Sequence, residues 1–221
     1  MNDKWMIRFF LGLELVLYGI FLTGDLMQKN TDLIKFAAIL MCAAAALLMT
    51  AAGRADRKSV SAALMLTAAA DGFLLFVKPY LVGVLLFCAV QTLYAVRLGG
   101  WRLRCVLYAA VLAALWIMQG LTALSAASAW SFVQLSMSAV IAWRSDENRL
   151  FASGLSLFWA CDVCVGLRYL MESGFAGTAG LPLRAVIYGI WFFYLPAQVC
   201  IVLSNYAPPV RQQTGGTDET K

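Results

Sequence analysis

The stretch Ser59–Val77, SVSAALMLTAAADGFLLFV, runs for nineteen residues with one charged side chain, Asp71. As a helix it covers roughly 28 Å, close to the ~30 Å hydrocarbon core of a bilayer. Lys78-Pro79 ends it, and a second apolar run, Tyr80–Leu98, follows at once. Working outward from this pair gives eight runs of spanning length. The others are Trp5–Gly24, Leu33–Gly53, Leu103–Thr122, Ala127–Trp143, Leu150–Met171 and Leu183–Ser204. Charge, Gly or Pro punctuates each break, as at Asp25 to Asp32 and Arg144 to Arg149. The expectation is an all-α, polytopic bundle of eight transmembrane helices, residues 1–206 forming one domain. The polar tail at 207–221 is expected to be disordered.

The composition agrees. Of 221 residues, 62% are hydrophobic and 13% charged, with mean hydropathy +0.78. A soluble domain is about 45–50% apolar and about 25% charged. A water-soluble globule, a disordered chain and a nucleic-acid binder with a basic face are thereby excluded. The first span is too long for a cleavable signal peptide, and Glu14 interrupts it. With eight crossings both termini share one side. That side holds 12 of the 17 basic residues and the other holds 5. The bias places both termini in the cytoplasm and suits a bacterial inner membrane.

Histidine is absent, which excludes His-based nucleophile pairs and His-based zinc sites. Cys161 and Cys164 form a C-x-x-C with no second pair to complete a tetrahedral metal site, so neither metal nor cofactor is expected. All six cysteines lie in apolar stretches, where a disulfide framework is not expected and a cysteine acts as a small hydrophobe.

Ionisable residues at membrane depth are costly and mark candidate sites. Asp71 in the third span and Asp162 in the seventh each lie twelve residues past the start of their run. Both helices would run outward, which puts both carboxyls about 18 Å above the inner boundary. Glu14, roughly 14 Å up, is either a third member or a separate structural acid. Two facing carboxyls resist joint ionisation, so the pair would supply one acid and one carboxylate for acid/base chemistry. The plainer alternative has each aspartate neutral and bonded to a neighbouring helix, or paired with Arg168 on a different face of the same helix.

Gln91 with Tyr94, and Tyr194 with Gln198, each share a helix face. Gln119 and Gln134 are further polar candidates, and helix–helix hydrogen bonding is the simpler role for all of them. Lys78 and Arg184, at the outer ends of their spans, would hold a lipid phosphate or snorkel. Trp5, Trp101, Trp143 and Trp191 are expected in interfacial belts. An aspartate span followed by a glutamine span occurs twice, four spans apart, as in a parallel repeat.

The run Ala70-Asp71-Gly72-Phe73-Leu74-Leu75, with Tyr80-Leu81-Val82-Gly83, Phe87 and Gln91-Thr92-Leu93-Tyr94, resembles a signature of the YhhN-like membrane family. Leu157 to Asp162 and Phe193 to Gln198, continuing to Ile201 and Ser204, resemble its second half. Ala70, Gln91 and Cys161 stand where that pattern has Gly, His and Ser. The resemblance implies a lysoplasmalogenase, which hydrolyses a vinyl ether to a fatty aldehyde and a glycerophospho head group. Asp71 and Asp162 would be catalytic, with Gln91, Tyr94, Tyr194 and Gln198 lining the pocket. The partner would be a membrane lipid or lysophospholipid, with no nucleic acid involved. The competing expectation is a small proton-coupled carrier or lipid-binding protein using the same acids.

Overall fold

The computed structural model describes residues 3–48, 55–77, 80–119, 121–145, 148–172, 180 and 182–205. These form eight α-helices: α1 Asp3–Leu26, α2 Asp32–Leu48, α3 Ala55–Gly72, α4 Tyr80–Leu98, α5 Trp101–Gln119, α6 Ala123–Ser145, α7 Arg149–Glu172 and α8 Leu183–Ser204. A π-turn, Phe73–Val77, extends α3 directly after Asp71 and Gly72. The tail at 207–221 and Lys78 lie outside the described residues.

Six helical segments are long and apolar enough to cross a membrane: Trp5–Leu26, Lys58–Val77, Tyr80–Leu98, Ala123–Ser145, Arg149–Glu172 and Leu183–Ser204. The protein is thus an all-α chain of multi-pass membrane character. Two of the eight expected spans fall short among the described residues. α2 is described over 17 residues only. α5 carries Arg102 and Arg104 near its start and Gln119 at its end, which lowers its apolarity. Most of α5 is exposed as well.

Seven helices close a ring in the order α1, α2, α3, α4, α6, α7, α8, with α8 reaching α1, α2 and α3. α5 stands outside the ring and packs on α6. Polar cross-links fix the directions. α1 and α2 are antiparallel: Cys42 Sγ donates to Glu14 Oε1 at 3.2 Å, and Lys35 pairs with Asp25 one end further along. α4 and α6 are parallel. Cys88 Sγ donates to the Ala127 carbonyl at 3.1 Å, and Trp130 Nε1 donates to Thr92 Oγ1 at 3.2 Å one turn later in both helices.

Small residues allow the closest contacts, as is usual where apolar burial alone does not drive helices together. A Cβ on Gly154 of α7 would lie 3.0 Å from the Ala197 carbonyl and 2.8 Å from Ile201 on α8. A Cβ on Gly83 of α4 would lie 2.6 Å from Leu74. Helix ends are held by named groups. Thr122 and Ser125 exchange side-chain to backbone bonds of 3.1 and 2.9 Å, a capping box for α6. Asn148 accepts from the Phe151 amide and donates to the Ser204 carbonyl, so it starts α7 and ties off α8 together.

Arg104 is fully buried between α5 and α6. Its Nε donates to the Gly99 carbonyl at 2.8 Å. Nη1 donates to the Gln134 carbonyl, Gln134 Oε1 and Ser138 Oγ at 2.8, 3.0 and 3.1 Å. Gln134 therefore serves helix–helix bonding.

Candidate functional site

Asp71 is the next-to-last residue of α3, followed after Gly72 by the π-turn. Such turns occur often at functional sites. Its side chain is buried at 4% exposure, and Tyr194 Oη of α8 donates to Asp71 Oδ2 at 2.7 Å. Asp162 on α7 is partly buried. Tyr194 lies within electrostatic reach of Asp71, Asp162 and Cys161, and Cys161 within reach of both aspartates. Asp71 is thus bonded to the Tyr194 phenol, and Asp162 lies within electrostatic reach of it from α7.

An aromatic wall surrounds that phenol. Phe158 and Phe87 stand edge-on to Tyr194 at 5.4 and 6.4 Å, and 5.8 Å from each other. Trp191 completes it at 5.3 Å. Trp191, expected in an interfacial belt, instead turns inward beneath Lys35, whose Nζ lies 5.2 Å from its ring. Trp5, Trp101 and Trp143 are exposed, as belt residues are.

Gln91 of α4 and Gln198 of α8 are both fully buried, and neither end of either amide has a hydrogen-bond partner. Tyr94 Oη and Thr67 Oγ1 are likewise buried and unpartnered. Thr67, one turn before Asp71 on α3, was not singled out from the sequence. Its spacing of four from an intramembrane acid is the signal that would have found it.

Other candidates fall elsewhere. Glu14 belongs to the α1–α2 contact through Cys42, so it is a separate acid. Arg168 pairs with Glu172 at 2.7 Å on the exposed face of α7, which removes it as a partner for Asp162. Arg184 is exposed on the first turn of α8. The side chain of Gln119 lies outside the described residues. A cation that faces inward is Lys35, paired with Asp25 at 2.9 Å with side-chain exposures of 9% and 13%. Thr31 donates to the second Asp25 oxygen, and Tyr188 Oη donates to the Asp25 carbonyl at 3.3 Å. This cluster covers the end of the bundle where α1 and α2 meet.

α8 passes through the site with Pro196 inside it. Proline has no N–H, so the Phe192 carbonyl one turn earlier loses its helical donor. Tyr18 Oη of α1 donates to that carbonyl at 2.9 Å. Among the described residues no group of three His, Cys, Asp or Glu side chains is placed to hold a metal ion. The arrangement offers two carboxyls, a phenol and unpaired amides inside apolar walls.

No curated protein and no solved structure matches the chain significantly. A family model, YhhN family, matches residues 30–205, from the Lys35 cluster through α8. That match covers well over half of the 221 residues, and the chain belongs to the YhhN family.

Proposed function

We propose that this protein is a membrane-embedded hydrolase that cleaves the vinyl-ether bond of lysoplasmalogens. It would cross the bilayer eight times as one domain over residues 1–206, with both termini cytoplasmic, in a bacterial inner membrane. The carrying observation is the buried Asp71–Tyr194 hydrogen bond within an aromatic wall, with Asp162 in electrostatic reach of the same phenol.

The chemistry needs no metal or covalent nucleophile. A protonated carboxyl gives its proton to the vinyl carbon distal to oxygen, leaving an oxocarbenium ion. The other carboxylate stabilises that cation and takes a proton from the attacking water. The resulting hemiacetal breaks its bond to the glycerol oxygen. That oxygen receives the proton taken from water, the hemiacetal hydroxyl returns its own proton to the first carboxylate as the aldehyde departs, and the net change is the addition of one water. Paired carboxyls handle oxocarbenium ions in glycoside hydrolysis by the same logic. Tyr194 donates to Asp71, a bond that stabilises the ionised form, and on this proposal Asp71 takes the stabilising role and Asp162 the proton-donating one. Lys78 and Arg184 remain the proposed phosphate contacts at the outer ends of their helices.

The competing carrier reading would draw on interrupted helices. α8 is continuous through Pro196, and no observation favours that reading. The test is aldehyde release from a lysoplasmalogen by the detergent-purified full chain. Asp71→Asn and Asp162→Asn are each expected to abolish it. A well-folded parent chain without aldehyde release would overturn the proposal.

A further inference from the structure

A groove of about 530 Å³ runs along α1 and ends at the loop that leads into α2. Leu15, Val16 and Ile20 of α1, Met27 just past it and Ile34 of α2 give it apolar walls. Its α1 members fall in steps of four, Leu15 and Val16, then Gly19 and Ile20, then Thr23 and Gly24, which is one face of a helix. The Met27 amide still donates to the Thr23 carbonyl at 3.0 Å, so the helical rise continues to that point. The stripe from Leu15 to Met27 is therefore roughly 18 Å long. Gly19 lies within it, and a Cβ there would meet no atom within 4 Å. An alanine would favour the helix more, so the missing side chain gives the groove depth at the expense of local propensity.

The loop end of the groove is polar and held in place. Lys29, Asn30 and Thr31 line it. The Lys29 amide donates to the Gly24 carbonyl at 2.9 Å, which folds the loop back onto α1. Asn30 Oδ1 accepts from the Asp32 amide at 2.9 Å, so its Nδ2 group is the end left to donate into the groove. Thr31 Oγ1 donates to Asp25, whose other oxygen pairs with Lys35, so the acid behind the loop is already neutralised. No carboxylate lines the groove among the described residues. Lys29 is exposed and makes no ion pair among the described residues. The segment Trp5–Leu26 is of spanning length, and Lys29 follows three residues after its end, at the level of lipid phosphates.

We infer that this groove binds a single-chain phospholipid, its chain lying over Gly19 between Leu15 and Met27 and its phosphate held by Lys29 and Asn30. The volume is that of a small-molecule site, about 300–1,000 Å³. One free ammonium matches the one negative charge of a phosphodiester, and the Asn30 amide adds a donor to its oxygens. The trough follows one helix face and takes one chain. A second chain would lie outside it and gain no contact in the groove. The class includes the lysolipid of the hydrolase reading, but the site rests on the groove alone and not on that reading.

The test is photolabelling of the full chain in phosphatidylcholine nanodiscs with lysophosphatidylglycerol that carries a diazirine at its chain end, mapped by mass spectrometry. With the head at Lys29, the label is expected to concentrate around Leu15 and Val16. Unlabelled lysophosphatidylglycerol should displace it, while glycerol 3-phosphate and two-chain phosphatidylglycerol should not. A monoacylglycerol with the same diazirine chain should label several-fold less. Gly19→Leu fills the groove and Lys29→Gln removes its charge, and each is expected to lower labelling several-fold. Gly166→Leu makes the same change at another glycine with open surroundings, on α7, and should leave labelling unchanged. Label spread alike over the exposed helix faces of the parent chain would mean ordinary lipid contact only and would overturn the proposal without any variant. Equal labelling by the monoacylglycerol, or displacement by glycerol 3-phosphate or by the two-chain lipid, would overturn it as well. None of these readouts depends on aldehyde release, so the hydrolase reading stands or fails separately.

Discussion

Tyr194 and Asp71 share a 2.7 Å hydrogen bond that joins α8 to α3 through the middle of the bundle. It is the one direct bond, among the described residues, between a candidate catalytic carboxyl and another side chain. Tyr194→Phe removes the donor and keeps the ring against Phe158, Phe87 and Trp191. A hydrogen bond to a charged group is worth about 1.5–3 kcal/mol, so kcat for aldehyde release is expected to fall about ten- to a hundred-fold. KM should stay nearly constant, because the aromatic wall is intact. A variant with unchanged kcat would show that the phenol is structural.

Tyr18→Phe leaves the Phe192 carbonyl without a donor, since Pro196 supplies none. We expect a stability loss of about 1–3 kcal/mol, read as a lower Tm in detergent. Pro196→Ala restores an N–H for that carbonyl. The double variant should therefore be more stable than Tyr18→Phe alone, a coupling that a double-mutant cycle measures directly. Strictly additive effects would contradict the account of Tyr18 as a substitute donor.

Arg104→Met removes the guanidinium that holds α5 to α6. It leaves Gln134 Oε1 and Ser138 Oγ buried, and a loss of roughly 2–4 kcal/mol follows. Because α5 lies outside the ring, the damage should be local. The expected signature is faster proteolysis near Gly99 and Gly100, with aldehyde release per folded molecule retained. Loss of activity in parallel with stability would mean that α5 supports the site.

Lys35→Met leaves Asp25 without its cation in a place that is 13% exposed. Breaking a largely buried pair from one side costs about 3–5 kcal/mol, while replacing both partners is far milder. Asp25→Asn in the same chain should recover most of the lost Tm. Failure to recover would assign the loss to Lys35 packing on Trp191.

A common level for Asp71 and Asp162 is an expectation that sequence alone supplies, because helix rise converts residue counts into distance. Tyr194, Gln91 and Gln198 were legible as polar residues on apolar helices. What a single helix cannot reveal is which way a residue turns between two neighbours. Trp191 sits near a span end, where belts form, yet faces Lys35 inside. Lys35 and Asp25 are separated by a helix turn-around, and nothing in their spacing says that both point inward. α5 reads as a span because its apolar run is as long as the others. Its place outside the ring depends on how the flanking α4 and α6 meet.

A ring with an odd number of helices cannot alternate up and down all the way round. One pair of neighbours must run the same way, and here it is α4 and α6. α5 is the return stroke that makes this possible, so its length answers to the thickness of the bundle more than to its own contacts. The pair also brings two helix C-termini together, where partial negative charges add instead of cancelling. Both helices carry an arginine in the last turn, Arg97 and Arg144. The parity of the ring thus explains why basic side chains gather at that corner of the molecule.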